Sequence, residues 1–134
     1  MDALLLARTL VCAFFALCFL QSGLDKVVDW KGNLNWLTGH FSSTFFRGFV
    51  ALLLGVAMLM ELLTCLANAF AIVVLWTGGP MEVPIAALSL ACLTLLMLFT
   101  GQRFAKDYGG AVTLATYFGV ALLGLFLMGE PGKA

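Results

Sequence analysis

The chain has 134 residues, of which 63% are hydrophobic and only 10% are charged. Soluble domains carry about a quarter charged residues, and a small fold leaves much of its surface exposed, so the composition excludes a soluble globule. Seven basic and seven acidic residues give no net charge. The chain therefore lacks the excess of positive charge that nucleic-acid-binding proteins use to bind phosphates.

The apolar runs predict an all-α integral membrane protein, a single-domain four-transmembrane-helix bundle in the lipid bilayer. The predicted spans cover residues 3–23, 45–76, 83–100 and 109–128. About 20 helical residues cross the hydrocarbon core, and each run is close to that length or longer. We expect the first span to be a retained helix rather than a signal peptide, because Asp2 precedes it and Arg8 interrupts it.

The loop between the first two spans carries apolar residues at helical spacing. They are Val27, Trp30, Leu34, Leu37 and Phe41. This pattern predicts a short helix in the membrane interface, where tryptophans are enriched. The alternative is an irregular loop with two interfacial tryptophans, which Gly32 and Gly39 favour because glycine weakens helices.

Basic residues in the short loops predict the orientation of the chain. One face would carry Lys26, Lys31, Arg47, Arg103 and Lys106. The other face would carry Lys133 and, close to the start of the first helix, Arg8. The excess on the first face predicts that both termini lie outside the cytoplasm.

Glu61 lies in the middle of the second span, where an ionisable group is costly unless it is paired or hydrated. Asn68 follows seven residues later on the same helical face. Similar estimated depths in the bilayer predict an Arg8–Glu61 ion pair between the first two helices. The pair could serve only to hold the two helices together. Alternatively, Glu61 could take up and release a proton or bind a ligand.

A second group of polar residues is expected at the loop face of the bundle. It contains Lys26, His40, Arg103 and Asp107. Such a cluster can bind an anionic head group or a partner subunit, and the alternative is a solvated rim. We expect no metal site, because His40 has no His, Cys or carboxylate at metal spacing. We expect no catalytic residue, because the sequence has no nucleophile motif, phosphate loop or pair of catalytic carboxylates.

Small residues recur at four-residue intervals in two spans. Ala111, Ala115 and Gly119 form one run, and Gly48, Ala51 and Gly55 form the other. Such runs let helices approach closely. The close packing could be internal, or it could join other membrane subunits or a homo-oligomer.

Five features of the sequence belong together: Arg8 in the first span, FLQSGLDK at residues 19–26, WKGNLNWL at residues 30–37, Glu61 in the second span and GQRFAKD at residues 101–107. Together they resemble the DoxX family of small bacterial membrane proteins. The resemblance implies a four-helix protein of the bacterial inner membrane. The family takes its name from a link to thiosulfate:quinone oxidoreductase systems.

Three functions follow as hypotheses. The leading one is an accessory subunit of a membrane redox or respiratory assembly, without activity or cofactor of its own. The second is a quinone-binding subunit of an oxidoreductase of the thiosulfate:quinone type, with Arg8 and Glu61 lining the pocket and Glu61 handling the proton. The third is a small transporter or channel assembled by oligomerisation.

Overall fold

The computed structural model describes residues 2–131, and this part of the chain contains helices and their connections without strands. Five α-helices follow one another along it. They are α1 (Ala3–Val28), α2 (Trp30–His40), α3 (Val50–Thr77), α4 (Glu82–Phe104) and α5 (Tyr108–Gly129). A short 3-10 helix, Phe45–Gly48, precedes α3.

Four of these helices, α1, α3, α4 and α5, are long and apolar enough to cross a membrane. The prediction of four long apolar helices is therefore confirmed. The second predicted span begins at residue 45, but α3 begins only at Val50, because Phe45–Gly48 form the 3-10 helix. Its first turn is fixed by Thr44, whose hydroxyl accepts the Phe46 N–H at 3.2 Å.

The long helices run up and down, with α1 and α4 packed against α3, and α5 packed against α4. Aromatic, large aliphatic and small side chains fill the core, among them Phe15, Phe19, Leu88, Ala91 and Leu95. Large apolar side chains also cover the outside, and Leu17 and Leu52 are 67% and 65% exposed. An exterior of this kind matches lipid tails better than water.

The predicted helix between the first two spans is present as α2, and the irregular loop is not. Asp29 caps its start by accepting the Gly32 N–H at 3.2 Å. A Cβ at position 32 would collide with that carboxylate, and Gly32 has none. The glycine that favoured an irregular loop in the sequence therefore makes the N-terminal cap of α2 possible.

We call the end of the bundle that carries α2 the α2 end. The C-terminal ends of α1 and α4 and the N-terminal ends of α3 and α5 also lie there. Lys133, which entered the charge comparison, lies outside the described residues. The orientation of the termini stays a prediction.

Two glycines of α5 give a matched test of the packing. A Cβ on Gly124 would lie 2.9 Å from Val11 Cγ2 and 3.0 Å from Leu88 Cδ1, whereas a Cβ on Gly119 would meet nothing within 4 Å. Val11 is β-branched and stiff, so it cannot easily move aside. We expect Gly124→Ala to destabilise the protein by about 1–3 kcal/mol, and Gly119→Ala not to destabilise it.

Thermal unfolding in detergent, followed by circular dichroism, measures both variants. Equal unfolding midpoints for Gly124→Ala and Gly119→Ala would show that α5 does not contact α1 and α4 as described.

Candidate functional site

Glu61 is the most deeply buried charged residue of the described chain, with 1% of its surface exposed. Its Oε2 accepts hydrogen bonds from Lys26 Nζ at 2.8 Å and from Ser22 Oγ at 3.0 Å. Lys26 Nζ also lies 3.0 Å from Ser22 Oγ and 3.3 Å from the Ser22 carbonyl oxygen. We call this contact the Lys26–Glu61 pair.

The predicted Arg8–Glu61 ion pair is wrong. Arg8 instead donates to backbone carbonyls at the end of α5, from Nε to Leu127 O at 2.9 Å and from Nη2 to Glu130 O at 2.6 Å. The last carbonyls of a helix lack partners within the helix and carry partial negative charge. A guanidinium satisfies them, so Arg8 needs no carboxylate.

The error came from the relative axial position of α1 and α3. Gly23 packs against Leu62, where a Cβ would lie 2.7 Å from Leu62 Cδ2. This contact places the C-terminal part of α1 beside the middle of α3, and Ser22 and Lys26 therefore face Glu61. Arg8 lies about 21 Å of helical rise from Ser22, far beyond the reach of its side chain.

Asn68 lies on the face of α3 that carries Glu61, about 10 Å further along the helix. Its Nδ2 donates to the Thr64 and Ala87 carbonyls at 2.9 and 3.3 Å. Its buried Oδ1 finds no partner among residues 2–131. Beside it the Thr64 and Thr94 hydroxyl oxygens lie 2.9 Å apart. Asn68 thus belongs to a polar contact between α3 and α4, and no hydrogen bond joins it to Arg8 or Glu61.

A cavity of about 430 Å³ lies at the α2 end. Its polar lining residues are Lys26, Asn33, Gln102 and Thr113, together with the indole of Trp36. Its apolar lining comes from α2 to α5 or their ends and includes Leu37, Phe41, Leu53, Ala57, Met97 and Leu114, whereas α1 contributes only Lys26. We call it the α2 cavity. The Lys26–Glu61 pair therefore contributes its cation to a mostly apolar wall.

His40 links α2 to the C-terminal part of α4 and to the α4–α5 connection, next to this cavity. Its Nε2 lies 2.7 Å from Gln102 Oε1 and 3.9 Å from Asp107 Oδ2. Its ring stacks on Trp36 with centroids 4.4 Å apart. An Nε2–H tautomer donates to Gln102 Oε1, which leaves the Gln102 amide N–H groups for another acceptor.

The predicted loop-face cluster is therefore only partly assembled. His40 and Asp107 lie together, but Lys26 turns into the bundle toward Glu61. Arg103 places its guanidinium over the ring of Tyr108, 4.7 Å from the centroid. In place of one cluster, the fold makes an interior ion pair and a separate histidine contact.

Sequence reasoning missed the roles of Ser22, Trp36 and Gln102. A signal was present for Ser22, because Ser22 and Lys26 are four residues apart and must share a helix face. Trp36 and Gln102 carried no such signal, since their proximity depends on how α2 meets α4.

Comparison with known proteins adds no functional information. No family model matches the chain, and no curated protein or solved structure is significantly similar to it.

The Lys26–Glu61 pair can be tested by a double-mutant cycle. Lys26→Met leaves a buried carboxylate without its cation, and removing one partner of a buried pair costs about 3–5 kcal/mol. Glu61→Gln neutralises that carboxylate and keeps its shape. We expect Lys26→Met/Glu61→Gln to unfold at a higher temperature than Lys26→Met alone.

Arg8→Met provides the control for this cycle. It should also destabilise the protein, because it strips the α5 carbonyls of their donor, but adding Glu61→Gln should not recover that loss. Recovery of Arg8→Met by Glu61→Gln, without recovery of Lys26→Met, would restore the pairing first expected.

Proposed function

We propose that this chain is a DoxX-like multi-pass protein of the bacterial inner membrane, with both termini outside the cytoplasm. Within that membrane it acts as the quinone-binding subunit of a redox assembly. The observation that carries the proposal is the α2 cavity with the Lys26–Glu61 pair in its wall. Arg8, which the sequence had placed in such a pocket, has no part in it.

The size and lining of the α2 cavity suit a small amphipathic ring. Ligand pockets typically measure about 300–1,000 Å³ and combine apolar walls with a few polar groups. The cavity of about 430 Å³ falls in this range. Trp36 and Phe41 offer aromatic surfaces on which a flat ring can pack.

The charge of the lining favours a neutral head group over an anion. Glu61 already neutralises Lys26 at 2.8 Å, so a bound carboxylate or phosphate would add a negative charge without a free cation beside it. A quinone carbonyl adds no charge and accepts hydrogen bonds.

Lys26 can supply one of those hydrogen bonds. Its longest contact, 3.3 Å to the Ser22 carbonyl oxygen, is the easiest to exchange for a ligand oxygen. A hydrogen bond from an ammonium is stronger than one from a neutral donor. It strengthens further when the oxygen gains negative charge, so the site would stabilise a quinone as it is reduced.

A quinone takes up or gives off electrons only with a second redox centre. We therefore propose that another subunit of the assembly exchanges electrons with the bound ring. The chain contributes the site in the membrane, where quinones are dissolved.

Filling part of the α2 cavity should weaken quinone binding. Ala57 lines the cavity, whereas Ala115 is exposed on α5 and lines no part of it. We expect Ala57→Leu to weaken binding of a short-chain ubiquinone by roughly tenfold or more, and Ala115→Leu to leave it unchanged. The measurement is quenching of tryptophan fluorescence in nanodiscs, with Trp36→Phe to identify the signal from the cavity.

The proposal requires saturable quenching in the unmodified chain. It is overturned if quenching rises linearly with ubiquinone, as for random collisions in the bilayer, or if Ala57→Leu and Ala115→Leu bind equally well.

Assembly with a redox partner is a separate expectation. After purification from native membranes in mild detergent, we expect a quinone-reducing activity to co-purify with the tagged chain. Recovery of the chain alone, with the activity left in the remaining membrane fraction, would contradict the subunit role while leaving the ligand site open to the titration above.

A further inference from the structure

A second, open cavity adjoins the α2 cavity on the outside of the bundle. It has a volume of about 390 Å³ and lies between α3 and α4. Four residues line both spaces: Phe41, Leu53, Met97 and Gly101. Phe46, Leu93, Leu96 and Thr100 complete its lining. We call it the α3–α4 groove.

The α3–α4 groove differs from the α2 cavity in polarity. Thr100 carries its only polar side chain among the lining residues, and that hydroxyl already donates to the Leu96 carbonyl at 2.7 Å. Lys26, Asn33 and Gln102 line the α2 cavity alone. Polarity therefore falls from the inner space to the outer one.

The outer wall of the groove opens away from the bundle core. Leu93 and Leu96 are 60% and 49% exposed, on a helix apolar enough to cross a membrane. In a bilayer this side of the groove would meet lipid tails.

Phe41 and Gly101 form the junction between the two spaces. Phe41 is buried, with 7% exposed, and its ring packs edge-on against Phe46 and His40. A Cβ on Gly101 would lie 3.6 Å from Phe41 Cζ. This is an ordinary van der Waals distance, so Phe41 and Gly101 pack directly against each other where the two spaces meet.

We propose that the α3–α4 groove binds the isoprenoid tail of the quinone whose head group occupies the α2 cavity. This inference rests on the proposed function and narrows the ligand to a tailed membrane quinone. A membrane quinone carries a chain of many isoprene units, too long for a cavity of about 430 Å³. The tail must therefore leave, and the adjoining apolar groove is the path that the shared lining residues provide.

A matched pair of leucines tests the groove. Leu96 lines it and is 49% exposed, whereas Leu122 on α5 is 48% exposed and lines neither space. We compare Leu96→Trp with Leu122→Trp, using the ubiquinone head group without a tail and decylubiquinone as ligands. Both substitutions lie on exposed surfaces, and thermal unfolding checks that each variant folds.

Leu96→Trp should weaken binding of decylubiquinone by roughly tenfold and leave binding of the tailless head group unchanged. Leu122→Trp should change neither.

Three other outcomes overturn the inference. If Leu96→Trp weakens both ligands equally, it acts on the head-group cavity and not on a tail. If it weakens neither, the tail leaves by another path and the head-group site stands. If the unmodified chain binds neither ligand, the proposed function fails first.

Discussion

The bundle is organised around one charged contact, the hydrogen bond between Lys26 and Glu61. A carboxylate with 1% exposure inside an apolar bundle is tolerated only if a cation and further donors satisfy it. Lys26 and Ser22 provide both from a single helix face. Because Lys26 lies near the end of α1, meeting Glu61 fixes how far α1 extends along α3, and therefore where α2 begins.

Arg8, the second charged residue inside the bundle, is satisfied by backbone carbonyl groups rather than by a charged partner. Arg8 contacts no carboxylate within the described chain but holds the carbonyl groups of Leu127 and Glu130 at the end of α5. This contact joins the first long helix to the last at the end of the bundle opposite α2. The two charges therefore act at opposite ends, one setting the register of α1 on α3 and the other closing α1 onto α5.

The helices were predictable from the sequence because their signals are local. Long apolar runs mark α1, α3, α4 and α5, and the spacing of Trp30, Leu34 and Leu37 marks α2. The partner of Glu61 was not predictable in the same way. It depends on the displacement of one helix along another, which the Lys26–Glu61 pair and the contact of Gly23 with Leu62 set together. Depth estimates from assumed membrane boundaries cannot resolve such a displacement.

The α2 cavity was equally hidden, because its lining comes from parts of the chain that are distant in sequence. Its origin is nevertheless visible in the residues. Ala57 and Gly101 are small residues of the lining, whereas Gly110 is small for a local reason, because a Cβ there would lie 2.7 Å from Asp107 Oδ2. Protein interiors are normally close-packed, and unfilled volume costs stability. Larger side chains at Ala57 and Gly101 would fill this volume, and a quinone ring bound as proposed would occupy it beside Lys26.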